Sequence, residues 1–506
     1  MTLDYDAVVI GSGHNGLVAA AYLGKAGKRV LVIEKAADLG GATQSAAPFP
    51  GVDARLSRYS YLVALFPDQI KRDLGLEFET LSRKVSSFTP WSESGILINR
   101  EFDDESNASL TNFANDPLAG QAWRSFYSRL ATFASKIAPT LLEPLRDEDE
   151  MREIVGGVLW EEFVSQPLEI TLKKNFMNDV IRGIVLTDGL IGTFASAREK
   201  AANICFIYHL IGNGIGEWRV PRGGMGALVA ELIDKCQRFG VEFKASNEVV
   251  KVEDLGEFVL VHTADGNKYK AAIALANCAP QVLERLSGIK SAEHLDGSQL
   301  KLNLVLDRLP KLKCGVDPAS AFAGTFHVNE SFSQLERAFE EASSGVLPST
   351  IPCEMYCHTL TDPTILSTSL RESGAHTLTL FAIHTPASLF DSNHDEVKAE
   401  AFRRIVAGLN SYLAEPIESC IAKDANGELC IEFKTPQDLE REIGLPRGNI
   451  FHGDLQFPWR TEVQQGRWGV ETSKPRILLA GSGAVRGGGV SGIPGHNAAK
   501  AALERI

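Results

Sequence analysis

Basic side chains are scarce in this sequence. Its 506 residues include 51 lysines and arginines against 64 aspartates and glutamates, which gives a formal net charge of −13. A surface with this excess of negative charge repels phosphate backbones, so we expect no nucleic-acid partner. Long apolar runs are also missing. The longest stretch without a charged residue, 373–390, contains two histidines, a proline and several hydroxyl side chains, unlike the roughly 18 predominantly apolar residues of a transmembrane helix.

The eight cysteines are scattered, at positions 205, 236, 278, 314, 353, 357, 420 and 430. They lack the spacing of a disulfide framework and suit a reducing compartment, so we expect a cytoplasmic protein. Cys353-x3-Cys357-His358 has no second ligand pair at zinc spacing, and we therefore expect no metal. No C-x4-C pair accompanies the N-terminal motif described next, which argues against a pyridine-nucleotide disulfide reductase.

Glycine, in contrast, follows a clear pattern near the N-terminus. Tyr5–Ile10 ends in an apolar run, 14–27 has helical spacing, and 30–33 is a second apolar run, which together predict a βαβ unit. Gly11-Ser-Gly13-His-Asn-Gly16 lies at the strand-to-helix turn, where glycines permit a tight turn and close approach to a pyrophosphate. The helix N-terminus adds free N–H groups, so this turn predicts a dinucleotide site.

Glu34 ends the second predicted strand, where a carboxylate accepts hydrogen bonds from a ribose diol. An acidic residue there fits an adenosine ribose without a 2′-phosphate. A turn with paired glycines, Gly40-Gly41, follows at once. NAD binding does not need this second turn, whereas a longer cofactor passes over further backbone, so the pattern favours FAD.

A second glycine-rich segment lies near the other end of the chain. Residues 481–495 contain seven glycines between an apolar run and an alanine-rich helical segment. A backbone without side chains that leads into a helix N-terminus can donate N–H bonds to a pyrophosphate or to a flavin locus that becomes anionic on reduction. Ser491 lacks the G-x-S-x-G frame of a nucleophile elbow, which disfavours hydrolase chemistry.

In the middle of the chain, the spacing of apolar residues predicts helices from about 111 to 209. Between 300 and 440 it predicts strands mixed with helix. Gly212-Asn-Gly-Ile-Gly216 is interpreted as a loop and not as a second fingerprint, because no helix directly follows it. We expect an α/β fold: a Rossmann-type FAD-binding domain with an interleaved α+β substrate domain. The FAD-binding domain is predicted to be discontinuous and to comprise 1–80, 215–285 and 440–506, and the substrate domain to comprise 81–214 and 286–439.

Four segments together, Gly11–Glu34, Gly40-Gly41, Val220–Gly226 and Gly481–Ala499, resemble the phytoene-desaturase-like FAD-dependent oxidoreductases. The resemblance points to the phytoene-dehydrogenase-related branch of the amine-oxidase-like flavoprotein superfamily. It covers roughly the first 45 residues, 217–282 and 445–506. It implies FAD contacts from Gly11, Ser12, Gly13, Gly16, Glu34, Lys35, Gly41, Ala42, Thr43, Val249, Gly481, Ser482, Val490 and Ser491.

The expected activity is that of an FAD-dependent oxidoreductase that removes hydride from an activated C–H of a hydrophobic small molecule. Such a desaturase- or dehydrogenase-like flavoprotein would be reoxidised by oxygen or a quinone. Three alternatives stay open: a flavin amine oxidase, a redox-neutral polyene isomerase, and a non-catalytic lipid carrier on the same scaffold. No catalytic acid or base is predicted, and His452 and His496 are equally open to packing roles. The aromatic segment Tyr59–Phe66 is a candidate for core packing, a tunnel wall or peripheral membrane contact; the oligomeric state is not predicted.

Overall fold

Two seven-stranded sheets organise the protein, accompanied by two small two-stranded sheets. The computed structural model describes residues 2–212, 216–291, 296–462 and 465–506. The loop interpretation of 212–216 falls largely on 213–215, outside these ranges. The strands are β1 Tyr5–Ile10, β2 Val30–Ile33, β3 Ser45–Ala46, β4 Leu56–Ser57, β5 Thr80–Leu81, β6 Val85–Trp91, β7 Ser94–Asn99, β8 Val220–Pro221, β9 Glu242–Lys244, β10 Val249–Asp254, β11 Val259–Thr263, β12 Lys268–Ala276, β13 Leu300–Leu306, β14 Thr325–Val328, β15 Cys353–Tyr356, β16 His376–Ala382, β17 Ile431–Lys434 and β18 Ile477–Leu479.

Helices cover both sheets. The α-helices are α1 His14–Lys25, α2 Asp68–Leu74, α3 Asp104–Ala114, α4 Ala119–Ile137, α5 Glu148–Val155, α6 Gly157–Trp160, α7 Leu168–Asn175, α8 Asp179–Thr187, α9 Lys200–Ile211, α10 Met225–Arg238, α11 Pro280–Ser287, α12 Pro318–Ala321, α13 Phe332–Ser343, α14 Thr368–Glu372, α15 His394–Asn410, α16 Pro436–Ile443 and α17 Ile493–Leu503. Among the described residues, none of these helices has the length and apolarity needed to cross a bilayer.

The first sheet has a parallel core in the order β18-β12-β1-β2-β9. The last four residues of β1 and all of β2 are buried, as expected for parallel strands covered on both faces. The β10–β11 hairpin adds antiparallel strands beside the first half of β12. The predicted βαβ unit is therefore present, and its strands have the predicted bounds.

Helices α1, α10 and α17 cover one face of this sheet. α1 packs against both α10 and α17, and its small residues Ala19–Ala21 are fully buried. A Cβ built on Gly495 of α17 would lie 2.0 Å from the Asn15 carbonyl oxygen, so α17 approaches α1 as closely as backbone permits. The two ends of the chain thus form one packed layer.

The second sheet runs in the order β17-β13-β16-β15-β14-β6-β7 and is antiparallel except where β14 pairs with β6. Its strands come from 85–99 and 300–434, whereas those of the first sheet come from 5–33, 242–276 and 477–479. Helices between 104 and 211 contribute a large apolar cluster that also contacts Phe381 of β16. The exact domain boundaries stay a prediction.

Candidate functional site

The turn between β1 and α1 forms one end of the candidate site. Gly11 leaves β1 with φ +92°, and Gly13 is the N-cap of α1, without a side-chain cap among the described residues. A Cβ on Gly16 would lie 2.4 Å from the Gly11 carbonyl oxygen, so only glycine fits there. The first N–H groups of α1 are consequently available to an anion at the carboxyl end of β1.

Asn277 holds this turn in shape. It follows β12, the neighbour of β1, and its Nδ2 donates to the carbonyl oxygens of Gly11 at 3.2 Å and Gly13 at 3.3 Å. These bonds fix the glycine turn from the adjacent strand. Asn277 is not among the site residues predicted from the sequence, although an asparagine directly after an apolar strand was the available signal.

Glu34 lies at the carboxyl end of β2 and is 8% exposed. Its Oε2 accepts hydrogen bonds from the backbone N and the Oγ of Ser12, both at 2.8 Å, and its Oε1 accepts one from the Ala36 N–H at 2.9 Å. Ser12 Oγ also accepts from the Gly40 N–H at 3.2 Å. The carboxylate therefore ties both glycine turns together while keeping lone pairs for a ligand hydroxyl.

The second turn stands directly beside the first. Gly40 and Gly41 have φ of +119° and +57°, and a Cβ on Gly41 would lie 3.3 Å from Gly13 Cα. His14 Nδ1 and Thr43 Oγ1 are 2.9 Å apart, which links the start of α1 to this turn. Burial lowers the pKa of His14 to about 4, so its imidazole is neutral near pH 7.

The C-terminal glycine loop is anchored by a buried arginine. Arg486 is 1% exposed, and it donates from Nη1 to the carbonyl oxygens of Thr140 and Glu143, at 3.0 and 2.7 Å, and from Nη2 to that of Trp468 at 2.9 Å. Ser491 Oγ accepts from the Ile493 N–H at 3.2 Å, at the start of α17. These bonds give the loop a defined course.

The two glycine turns and this loop border one cavity of about 460 Å³, within the usual range of ligand sites. Of the residues predicted to bind FAD, those that line it are Gly11, Gly13, Glu34, Lys35, Gly41, Ala42, Thr43, Val249, Ser482 and Val490. Those outside the lining are Ser12, Gly16, Gly481 and Ser491. Ser12 supports Glu34, Gly16 permits the turn, and Ser491 accepts a hydrogen bond from the Ile493 N–H, so these three shape the wall. Contact with a cofactor stays a prediction for the whole set.

Lys301 of β13 lines the opposite end of the cavity and was not anticipated from the sequence. It is 2% exposed, its Nζ has no hydrogen-bond partner among the described residues, and this atom lies 3.7 Å from the centroid of the Tyr61 ring. Burial lowers the pKa of Lys301 well below its usual value. Lys301 Nζ therefore lies at the cavity beside an aromatic ring, where burial favours the uncharged amine form.

Comparisons with known proteins bear on this site. Residues 9–70 match the model of an NAD(P)-binding Rossmann-like domain. A Mycobacterium tuberculosis protein described as uncharacterized is 43% identical over 99% of this chain and 97% of its own length. Pyridine nucleotide-disulfide oxidoreductase domain-containing protein 2 of Rattus norvegicus is 31% identical, covering 98% of this chain and 93% of its own. The chain belongs to the family of the rat protein.

More distant matches also cover most of this chain. Prolycopene isomerase of Arabidopsis thaliana is 23% identical over 93% of this chain and 79% of its own. Cyclohexylamine oxidase from Brevibacterium oxydans superposes with a TM-score of 0.59 at 15% identity, covering 99% of each chain. The α/β class with a Rossmann-type domain is confirmed, and the likeness to the oxidase, at 15% identity, shows the fold alone. The phytoene-desaturase-like branch stays a prediction.

The cysteines of this family member show no disulfide. All eight lie in the described part of the chain and carry free thiols, and Cys278 is the one that lines the cavity. Burial raises the pKa of Cys278 to about 12, so it is protonated and weakly nucleophilic. Within the described ranges no group of His, Cys, Asp or Glu has a metal-binding arrangement.

The two histidines considered from the sequence have different surroundings. His452 lines the cavity, and burial lowers its pKa to about 4. His496 is 1% exposed and packs edge-on against Tyr22 and Trp468, with ring centroids 5.0 and 6.4 Å away. It is outside the cavity lining. The packing role therefore applies to His496, whereas His452 can contact a ligand.

The aromatic segment Tyr59–Phe66 divides between cavity and core. Its members Tyr59, Tyr61 and Leu65 line the cavity, together with Ser60 and Leu62, while Phe66 packs in the apolar layer of the first sheet. A second chamber of about 480 Å³ begins on the far side of Tyr61. Tyr61 therefore forms a wall common to both spaces.

Proposed function

We propose that the chain is an FAD-dependent oxidoreductase that removes hydride from an activated C–H bond of a hydrophobic small molecule, in the manner of a desaturase or dehydrogenase. Oxygen or a quinone would reoxidise it. The observation that supports this proposal is the course of the cavity, which runs from the Gly11 turn to Lys301 and Phe381 of the other sheet. A dinucleotide that starts at the turn has its far end between the two sheets, beside space for a substrate.

The residues present suit FAD. Gly11 and Gly13, with the N–H groups of α1, would hold the pyrophosphate, and Glu34 would accept hydrogen bonds from the adenosine ribose. Lys301 Nζ and His452 Nδ1 are buried polar atoms without a hydrogen-bond partner among the described residues. A ring system that carries nitrogen and oxygen atoms would satisfy such groups, whereas an apolar ligand would leave them unpaired.

Bound FAD supplies an acceptor for a hydride, that is, a proton with two electrons. Desaturation also releases one proton from the neighbouring carbon as the double bond forms. Lys301 is a candidate to take that proton, because burial lowers its pKa and so favours the amine form, and its Nζ has no hydrogen-bond partner among the described residues. Phe381, Leu65 and Ile191 give the cavity apolar walls that exclude water from the reacting atoms.

The first test is the colour and flavin content of the purified protein. We expect a yellow protein that releases FAD on denaturation, close to one FAD per chain. A colourless protein that FAD cannot reconstitute would refute the proposal. Anaerobic bleaching by separate panels of polyenes, steroids and amines then identifies the substrate class. Double-bond rearrangement without net bleaching would instead support the isomerase alternative, and bleaching by amines alone the amine oxidase.

A lysine pair gives a sharper test of the same site. Lys301→Met should keep bound FAD but slow its anaerobic reduction by substrate. Lys244→Met is a matched control, because Lys244 also lies over a tyrosine ring, 5.2 Å from the centroid of Tyr269, but is outside the cavity lining. Equal reduction rates for both variants would rule out a chemical role for Lys301.

A further inference from the structure

The second chamber differs in character from the cavity beside it. The two share Tyr61, Ile191, His209 and Trp218 as wall residues. Much of the remaining lining is polar or charged, including Arg83, Arg100, Asp188, Glu217, His327 and Glu354. This lining suits a substrate with a polar end better than a purely apolar one.

Arg83 is a chamber arginine with much unused hydrogen-bonding capacity. Its Nη1 donates to Thr325 Oγ1 at 3.2 Å, and its guanidinium carbon lies 5.5 Å from the centroid of the Tyr356 ring. No carboxylate of the described residues lies within 4.0 Å of this guanidinium, in contrast to Arg100, which pairs with Glu217 at 3.1 Å. A guanidinium has five N–H donors, so most of those on Arg83 are available to a ligand.

The acidic groups of the chamber do not neutralise Arg83. Glu217 is shared by Arg100 and Arg219, at 3.1 and 3.2 Å. Burial raises the pKa of Glu354 to about 8 and that of Asp188 to about 7, which reduces the negative charge that these groups carry near neutral pH. Neither carboxyl group is in contact with the Arg83 guanidinium.

The neighbouring histidine already has a carboxylate partner. His327 Nδ1 contacts Glu330 Oε2, and although burial opposes protonation, this contact raises the pKa of His327. Arg83, in contrast, has no carboxylate in contact among the described residues. A planar guanidinium with parallel donors matches a carboxylate in two-point geometry.

We propose that the second chamber binds the carboxylate of an amphipathic substrate through the Arg83 guanidinium, with the apolar part of the substrate reaching past Tyr61 and Trp218 toward the cavity. This inference rests on the proposed function, because it names the substrate class of the same site. The expected hydrophobic small molecule would then be a carboxylic acid with an apolar chain. Arg83 fixes one end of the molecule, so the distance from the carboxylate selects which carbon is presented for oxidation.

The test measures binding of chain-matched probes to the FAD-loaded protein by titration calorimetry. The probes are octanoate, decanoate and geranate, with decanol and decylammonium as neutral and cationic counterparts of decanoate. We expect the acids to bind more tightly than decanol, and decylammonium to bind most weakly. Arg83→Gln should weaken acid binding by about 10- to 150-fold, the loss of a charge-assisted hydrogen bond, and leave decanol within about twofold. Arg83→Lys should restore part of the affinity.

Arg124→Gln is the matched control, because Arg124 lines the same chamber but is exposed and lies over Phe102, 4.9 Å from the ring centroid. It should change acid binding by less than about twofold. No binding of any acid to the wild type, tighter binding of decylammonium, or unchanged acid binding by Arg83→Gln would overturn the inference. FAD content is measured separately on each variant. Arg83-dependent acid binding by a protein that holds no FAD would support the chamber's assignment while refuting the proposed function.

Discussion

Replacing Glu34 with alanine should weaken FAD binding through two separable effects. The carboxylate accepts three hydrogen bonds from the protein, two from Ser12 and one from the Ala36 N–H, all between 2.8 and 2.9 Å. In the variant two backbone N–H groups lose these bonds, and the two glycine turns lose their common support. The adenosine ribose loses its charged acceptor as well. The first effect acts on the shape of the site and the second on the ligand directly.

The size of each effect follows from the bonds involved. A hydrogen bond to a charged group contributes about 1.5–3 kcal/mol. Loss of the ribose contact alone therefore raises the Kd for FAD by about 10- to 150-fold, and weakening of the turn adds to this. The Kd is measured by quenching of flavin fluorescence when FAD is added to apoprotein. A Kd for Glu34→Ala within twofold of wild type would refute the role given to this carboxylate.

Two further variants separate the effects. Ser12→Ala removes the Oγ bond to Glu34 and the bond accepted from Gly40, yet keeps the carboxylate, so we expect a smaller rise of about 2- to 12-fold, from about 0.5–1.5 kcal/mol. Glu248→Ala removes the same charge from the exposed rim of the cavity and should change the Kd by less than twofold. If Ser12→Ala were as damaging as Glu34→Ala, the carboxylate would act only by supporting the turn.

Three other variants test single features. Gly16→Ala places a Cβ 2.4 Å from the Gly11 carbonyl oxygen and should yield protein without FAD, whereas Gly157→Ala, with nothing within 4 Å, should keep its flavin absorbance. Lys301→Met removes a buried amine without a hydrogen-bond partner and should stabilise the apoprotein by about 1–3 kcal/mol in calorimetry. Because burial lowers the pKa of Lys301, the folded wild type binds fewer protons than the unfolded chain. The stability of the wild type should therefore rise as the pH approaches the usual lysine pKa, and the variant should lack this rise. Glu354 has a pKa raised by burial from 4.5 to about 8, so the folded state retains a proton that the unfolded state loses, and wild-type stability should decline across that range. Glu354→Gln should show a flatter Tm between pH 5 and 8, and equal slopes would contradict the burial argument.

The nucleotide end of the site could be predicted because its signals are local. β1, the glycine turn, α1 and β2 follow one another within 34 residues, and each has its own hydrophobic period. The spacing from Gly11 to Glu34 was therefore sufficient to predict the βαβ unit and the position of Glu34 at the end of β2. The final strand and helix, β18 and α17, were recognisable for the same reason.

Two other features of the site, Asn277 and Lys301, depended on strand pairings that no local pattern reveals. Asn277 acts on Gly11 because β12 lies beside β1, 266 positions away in sequence. Lys301 lies in the run Leu300-Lys-Leu-Asn-Leu, whose alternation indicates a strand with one polar face. The structure buries both faces of that strand, because the second sheet packs against the cavity on one side. Only the tertiary arrangement turns this lysine from a solvated side chain into a cavity residue.

The joining of both chain ends in one sheet has a consequence for synthesis. β12 is the common partner of β1 and β18, and β18 begins at Ile477. At about 5–20 residues per second, roughly 25–95 s separate translation of the first strand from that of the last. During this interval the N-terminal glycine turn exists without the loop that borders the other side of its cavity. The candidate site is thus complete only after 477–495 has been translated, and conditions that slow the ribosome between the two segments should lower the yield of folded protein.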